Sequence, residues 1–385
     1  MQICITTTNG AGHHPPAETQ GVTRRPGHVR SIRPCSSTSG YGARMQRPEP
    51  TPTSGGQQWA GRLRVWATVA GAVAVLLVVP VTLARAVGGE QRAPMPLLAA
   101  AAPFAVPALV VAIALTLLGR VRWAAAVPGL LLVVHLAWLA PSLAPDGDPA
   151  TSGRRDTQTL TVMTANILFG RADADALVRE VERRGVDVLA VQELTPAAVE
   201  RLRAAGLEKV LPHSVVSPAP GAAGTGLWTR LPATELSPVA TTGFAMPRVW
   251  VDLPDETAVT VTVAHPYPPL NDEGIRRWGP DMASLRQAVE QTTGLQVVAG
   301  DFNATRDHAP FRRLLDAGLV DAADAEGLTA WPGMTWPADR PYPPVMRLDH
   351  VLASPAFAVR DVAVVQLPGT DHRAVVARLT LAGTA

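Results

Sequence analysis

The sequence predicts an α/β domain built on two packed sheets and tethered to a membrane by three helices. Three observations carry this reading. Residues 65–84, 93–119 and 123–145 contain no Asp, Glu, Lys or Arg. From residue 158 onward, short β-branched runs alternate with helical patterns. The charge is also divided. Residues 1–150 hold 12 Arg against 5 acids, net +7, and residues 151–385 hold 22 basic residues against 27 acids, net −5, so the formal +2 of the whole chain conceals two opposite halves.

Composition excludes several classes. At 47% hydrophobic residues the chain cannot be extensively disordered. The acidic C-terminal half argues against a one-piece nucleic-acid binder with a basic face. Cys4 and Cys35 both lie near the N-terminus, so the rest of the chain has no disulfide of its own, no cysteine metal site and no thiol nucleophile. The 33 Arg against a single Lys209 carry no functional information.

Residues 1–60 are rich in Pro, Gly, Ser and Thr without periodicity, and are expected to be a disordered tail. Met45 offers an internal start, which makes residues 1–44 a candidate untranslated extension. The His13–His14 pair is read as part of this solvated tail. Residues 61–145 are the expected membrane anchor, with spans at about 65–84, 97–118 and 123–141, each near the roughly 20 apolar residues that cross the hydrocarbon layer. Pro80, Pro103 and Pro107 interrupt the runs, as membrane helices tolerate. A single signal peptide cannot account for three runs. Arg44, Arg47, Arg62 and Arg64 precede the first span, and Arg120 and Arg122 follow the second. They place the N-terminus in the cytoplasm and, with an odd number of spans, everything after residue 145 outside it: a multi-pass cell-membrane protein with an extracytoplasmic domain. The loop with Arg85, Glu90 and Arg92 would then lie outside.

Residues 146–158 are a polar linker, and 159–385 form the remaining domain. Strands are predicted at 160–166, 186–193, 226–230, 248–253, 258–265, 295–302, 347–353, 362–367 and 373–381. Helices are predicted at 173–184, 194–206, 281–292 and 308–317. Leu177, Val178 and Val181 share one face of the first helix. Thr195, Pro196 and Gly206 cap the second. Asp307-His308 is read as the start of the last.

Several apolar strands end in polar residues: Asn166, Gln192-Glu193, His265, and Asp301 with Asn303. Asp349 sits in RLDHVL, and Asp371-His372 precede the last strand. Strand ends on one edge of a sheet can converge on a cleft. Acids beside core strands are costly to desolvate unless paired or metal-bound. Carboxylates, amides and histidines without a Ser or Cys nucleophile point to metal-assisted hydrolysis with water as the attacker. Each residue has a plainer reading too: Glu193 a charge ahead of the Thr195 cap, Asn166 a turn cap, Asp301 and Asn303 a strand-end turn, Asp349 a partner of Arg347.

The strings TANI (164–167), DVLAVQE (187–193), GLWTR (226–230), AHP (264–266), GDFN (300–303), RLDH (347–350) and TDH (370–372) together resemble the successive motifs of the endonuclease/exonuclease/phosphatase superfamily, the deoxyribonuclease-I-like group. The resemblance spans about 160–381. It implies a four-layer α/β/β/α sandwich behind the membrane helices, phosphoester hydrolysis, and Mg²⁺ or a similar ion (Mn²⁺ or Ca²⁺). By the same resemblance, Glu193, Asp371 and Asn166 hold the metal shell. Asp301 orients or deprotonates water, Asn303 binds a phosphoryl oxygen, Asp349 fixes His372, and His372 and His265 contact the phosphate. Arg347 and Trp336 are weaker substrate-contact candidates, and Trp331 is a further rim candidate. His350 is expected to turn away from the site by alternation.

The chain also departs from the family pattern. Leu168 stands where many nuclease members have an acid, no tyrosine is evident beside the phosphate, and Thr370 replaces the usual Ser. These departures weaken the case for DNA cleavage and favour phosphodiesterase or lipid-phosphoesterase action. The implied partners are a phosphate-ester substrate and the lipid bilayer, with nucleic acid open as a substrate and no obligate protein partner evident. The alternatives are an extracellular endo- or exonuclease and a catalytically inactive membrane-tethered binding domain.

Overall fold

The computed structural model describes residues 54–90, 92–143, 156–254, 257–328 and 332–382. The expected tail up to residue 53, most of the linker, and Trp331 lie outside these. The N-terminal part of the described chain is helical: α1 (Ser54–Val87), the short α2 (Met95–Ala100), α3 (Ala102–Leu118), a 3₁₀ turn at Arg122–Ala125, and α4 (Ala126–Leu143). Two stretches are long and apolar enough to cross a membrane, Gln57–Val87 with 31 residues and Arg122–Ala140 with 19. Their outward faces carry Leu76, Leu77, Leu130 and Val133, all exposed.

Two expectations need correction here. Residues 54–60 are helical, because they extend α1 rather than belong to the tail. The run 97–118 is not one helix: it breaks at Ala101, leaving α3 with 17 residues. Pro103, in the first turn of α3, has no N–H to continue α2, and its ring would clash with the carbonyl four residues back. Helix α3 packs on α1 through Val78, Ala105 and Leu109. The contact is close at Gly71, where a Cβ would lie 3.0 Å from Thr116 Cγ2 and 3.2 Å from the Ala112 carbonyl.

The strands of the second part are β1 (Asp156–Asn166), β2 (Val188–Gln192), β3 (His213–Ser217), β4 (Thr225–Thr229), β5 (Ala233–Leu236), β6 (Arg248–Asp252), β7 (Ala258–Ala264), β8 (Leu295–Asp301), β9 (Val320–Asp321), β10 (Asp349–Ala353), β11 (Phe357–Gln366) and β12 (Arg373–Ala382). They form two six-stranded sheets, ordered β11-β12-β1-β2-β4-β3 and β5-β6-β7-β8-β10-β9. The helices are α5 (Ala174–Arg184), α6 (Pro196–Ala204), α7 (Leu207–Val210), α8 (Asp272–Gln291), α9 (Ala309–Asp316) and α10 (Ala322–Ala325).

Period-2 alternation builds the layers. Along β1, Leu160 and Val162 face the second sheet and meet Val261, Val263, Val297 and Val351 there. Met163 and Ala165 face the other way, onto Leu177 and Val181 of α5 and Leu202 of α6. The outer face of the second sheet is covered by Trp278, Met282 and Leu285 of α8 and by Phe311 and Leu314 of α9. Three apolar interfaces therefore separate four layers, helix, sheet, sheet, helix.

The caps agree with the sequence. Asp173 accepts from Ala176 N at 2.8 Å and Thr195 from Ala198 N at 3.3 Å. Helix α8 begins nine residues before its predicted start. Asn271 caps it by accepting from Gly274 N at 2.9 Å, and Pro280 lies inside it. Strands β3, β5 and β9 are additions the sequence pattern did not signal.

The two parts are joined by polar contacts. Arg85, near the end of α1, pairs with Asp307 at 2.6 Å. The buried Glu90 accepts from Ala309 N, the first amide of α9, at 2.6 Å. An acid at a helix N-terminus is well placed against the helix dipole. His308 Nε2 lies 3.0 Å from the Pro96 carbonyl. The His308 side chain does not cap α9. Glu90 does so from outside the domain.

Candidate active site

The polar strand ends converge because the central strands of both sheets finish on the same edge. In the first sheet β1 and β2 are parallel, with Asn166 beside Gln192, and the neighbouring β12 runs antiparallel, so its start lies beside their ends. In the second sheet β7 and β8 are parallel, and Asp349 at the start of β10 pairs with Asp301 at the end of β8. Strands β7 and β8 approach so closely at Gly300 that a Cβ there would lie 1.9 Å from the Ala264 carbonyl.

Asn166 is the hub. Its Nδ2 donates to Glu193 Oε1 at 3.1 Å and to Asp301 Oδ2 at 2.9 Å, and its Oδ1 accepts from Leu168 N at 3.0 Å. Glu193 Oε2 accepts from Phe169 N at 2.7 Å. The backbone is strained here. Leu168, Phe169, Glu193 and Asn303 have positive φ, four of the five non-glycine residues that do so among the described residues. Such conformations cost about 1–3 kcal/mol each and persist where the surroundings over-determine them.

Asp301 Oδ1 accepts from Asn303 N at 2.8 Å, and Asn303 Nδ2 donates to the Pro266 carbonyl at 3.1 Å. His372 Nδ1 lies 2.8 Å from Asp349 Oδ2, and its Nε2 lies 3.8 Å from Asp301 Oδ2. Thr335 Oγ1 accepts from the Leu348 and Asp349 amides at 3.0 and 3.3 Å, which fixes the start of β10. Thr370 Oγ1 donates to the Asn166 carbonyl at 2.8 Å and so ties the Asp371-His372 turn to the end of β1. Trp336 Nε1 donates to Asp371 Oδ2 at 3.1 Å.

The electrostatics differ between the two histidines. Burial alone would lower the His372 pKa, but the Asp349 and Asp301 carboxylates outweigh it and raise the imidazolium to about 10. His265 is buried under Phe244, with ring centroids 4.9 Å apart. Desolvation lowers its pKa to about 4 despite the pull of Asp301. At neutral pH one ring is therefore cationic and the other neutral. Desolvation also raises the carboxyls of Asp301 and Glu193 above the usual range, with His372 acting against it on both.

The donor set suits a hard divalent cation. Asp371 Oδ1 is buried without a hydrogen-bond partner, and Glu193 and Asp301 bring further carboxylates to the same cleft. Asp301, Asp349 and His372 also lie close enough to share an ion, but the hydrogen bond between His372 and Asp349 already accounts for two of them. Of the shell expected from the sequence, Glu193 and Asp371 line the same cleft, and Asn166 donates to Glu193 from behind it.

The structure places Glu193, Asp301, Asn303, His265, Asp371, His372 and Trp336 on one cleft of about 350 Å³. Asn166 and Asp349 lie directly behind them. Arg347 is the exception. It is buried beneath the site, where it pairs with Asp321 at 3.1 Å and with Asp324, and donates to the Leu328 carbonyl. Asp321 is held at about 2 by Arg347 and His350 against its own burial. Arg347 thus holds α10 under β10 and does not line the cleft. His350 turns into the core, as alternation requires, and its Nδ1 lies 2.7 Å from Asp321. Thr335 and Phe244 were missed because each lies in an irregular segment with no periodic pattern.

Among solved structures, humanized TDP2 from D. rerio is 18% identical, with 57% of this chain and 98% of that chain covered and a TM-score of 0.47. The mannosyl-6-phosphatase of Bacteroides thetaiotaomicron is 14% identical over 57% of this chain and 99% of that one, TM-score 0.44. An endonuclease/exonuclease/phosphatase from Beutenbergia cavernae is 21% identical over 59% of this chain and 72% of that one, TM-score 0.43. No curated protein sequence matches the chain. Residues 163–372, more than half of the chain, match the sequence model described as the Endonuclease/Exonuclease/phosphatase family. The match runs from β1 to His372 and so takes in every polar strand end described above; the chain belongs to this family, whose members are metal-dependent hydrolases of phosphoric ester bonds.

Proposed function

We propose that this protein is a membrane-anchored, divalent-metal-dependent phosphoesterase whose catalytic domain lies outside the cytoplasm. One observation carries the chemistry. The carboxylates of Glu193, Asp301 and Asp371, the amides of Asn166 and Asn303 and the rings of His265 and His372 meet at one edge of the two-sheet sandwich, with a buried carboxylate oxygen of Asp371 left unpartnered.

Glu193, Asp371 and Asn166 would hold Mg²⁺, or Mn²⁺ or Ca²⁺ in its place. When bound, the cation polarises a phosphoryl oxygen and offsets charge on the leaving oxygen. The chain does the rest. Asp301, raised by burial, accepts the proton of the attacking water as its oxygen bonds to phosphorus and the ester P–O bond breaks. Asn303 Nδ2 and the His372 imidazolium face the phosphoryl oxygens, where negative charge grows. Asp349 holds the His372 ring and keeps it cationic. Neutral His265 offers a hydrogen bond from the opposite side.

Anchoring rests on the two long apolar helices and their exposed apolar faces, with α3 as a third, shorter crossing beside α1. The extracytoplasmic orientation rests on the flanking arginines. The complete polar set argues against an inactive binding domain. The test is the full chain in detergent with Mg²⁺ or Mn²⁺ and a soluble chromogenic phosphodiester and phosphomonoester. Hydrolysis that a chelator and Glu193→Ala both abolish is expected. Turnover insensitive to both sinks the reading.

A further inference from the structure

The cleft is bounded by the anchor as well as by the catalytic domain. Pro96, Leu97 and Ala100 of α2 form one wall, and Phe244, Pro268 and Leu270 contribute to the others. Leu97 and Leu270 are unusually open for leucines, at 56% and 72% exposure. Helix α2 sits between α1 and α3, so this wall begins where the chain leaves the apolar helices. Its place is fixed by the Glu90 cap on α9 and by the contact of His308 with the Pro96 carbonyl.

The charge of the cleft points the same way. Among the described residues, its lining includes no Arg and no Lys. A nucleic acid draws most of its affinity from cations along its backbone, and this cleft provides none beyond the His372 imidazolium at the reacting phosphate. A small polar ester would leave the leucine walls facing water. An amphiphile satisfies both ends, with its phosphate on the polar floor and the length of its acyl tail along Leu97 and Leu270.

We infer that the substrate is the phosphate ester of a lipid, taken from the membrane surface into a cleft that the anchor helix α2 completes. This deepens the phosphoesterase reading and rests on it. The gradient from polar floor to apolar rim orients the ester, and the anchor supplies a binding wall as well as a tether.

The experiment uses the full chain in mixed micelles with Mg²⁺ and two phosphatidylglycerols, one with sixteen-carbon and one with four-carbon acyl chains, beside a soluble chromogenic phosphodiester and plasmid DNA. The measured quantity is the ratio of kcat/KM for the long-chain to the short-chain lipid. The wild type should favour the long chain by about tenfold or more, and Leu97→Asp and Leu270→Asp should each lower that ratio about tenfold, the size of one lost aliphatic contact. The two leucines are exposed and lie on separate elements, so a folding defect in one variant leaves the other informative. A ratio near one, a ratio unmoved by either variant, or preferential cleavage of DNA overturns the lipid inference while leaving the phosphoesterase reading intact. Absence of turnover on every ester overturns both.

Discussion

His372 Nδ1 lies 2.8 Å from Asp349 Oδ2; Asp349 opens β10 and His372 immediately precedes β12, strands of different sheets. The contact bridges the two halves of the sandwich at the catalytic edge. It also sets the charge of the imidazole that faces the cleft, raised to about 10 by Asp349 and Asp301 against the cost of burial. The sign of its effect on stability follows. The folded pKa lies above the unfolded value of about 6.5, so the contribution is fully present below pH 6.5. It declines as pH rises, and is lost above about 10. Chemical denaturation of chelator-treated protein between pH 6 and 10 should show this decline. Asp349→Asn should flatten it and reduce kcat on the order of 10²-fold.

Asp301 accepts from Asn166 and Asn303 while lying 3.8 Å from His372. It is placed to take a proton, and amide replacement removes that capacity while keeping the shape. Asp301→Asn is expected to lower kcat about 10²–10⁴-fold on a soluble phosphodiester, with the thermal midpoint close to that of the wild type. Full activity in this variant would remove Asp301 from the role of base.

Trp336 donates to Asp371, one of the residues proposed to hold the metal. Groups that orient a ligand carboxylate are worth about 10–100-fold in metal affinity. Trp336→Phe should therefore raise the Mg²⁺ concentration for half-maximal activity about tenfold and leave kcat at saturating Mg²⁺ largely intact. An unchanged Mg²⁺ titration would mean that Asp371 is held without the indole.

Arg347 separates a structural role from a catalytic one. Its guanidinium is the counter-charge to Asp321 and Asp324 in a buried cluster. Removing one partner of such a group costs about 3–5 kcal/mol. Arg347→Ala should unfold at markedly lower denaturant concentration, while KM per folded molecule stays at the wild-type value. A selective rise in KM would restore the phosphate contact expected from the sequence.

Gly300 precedes Asp301 where β7 and β8 are closest, with 1.9 Å between a built Cβ and the Ala264 carbonyl. The Ala264 backbone cannot yield as a flexible side chain would. Gly300→Ala should destabilise by about 1–3 kcal/mol or more and lower activity as well, since the shift is transmitted to Asp301. Differential scanning calorimetry with a parallel activity assay measures both.

The site was largely legible in the sequence because it is made of strand ends. A β-branched run closing on a polar residue, as in LQVVAGDFN or VTVTVAH, records both the strand and the residue that leaves it. Irregular segments carry no such record. Thr335 holds the start of β10 from inside a Pro-rich loop, and Phe244 shields His265 from another loop. Arg347 shows the opposite error: adjacency to Asp349 in sequence placed it at the cleft, and the local acids of α10 drew it away.

By itself the sequence determined the apolar helices, the alternation that makes two sheets, and the polar strand ends that meet at the cleft, because periodicity and composition are local properties. Only the tertiary structure decided what those residues do to one another. The packing of one sheet on the other brings residues more than a hundred positions apart within hydrogen-bond distance, as with Asn166 of β1 and Asp301 of β8. The break at Ala101 and the Glu90 cap set α2 so that its Pro96, Leu97 and Ala100 form a wall of the cleft. Such contacts depend on how elements pack, and packing brings together residues that no local pattern relates.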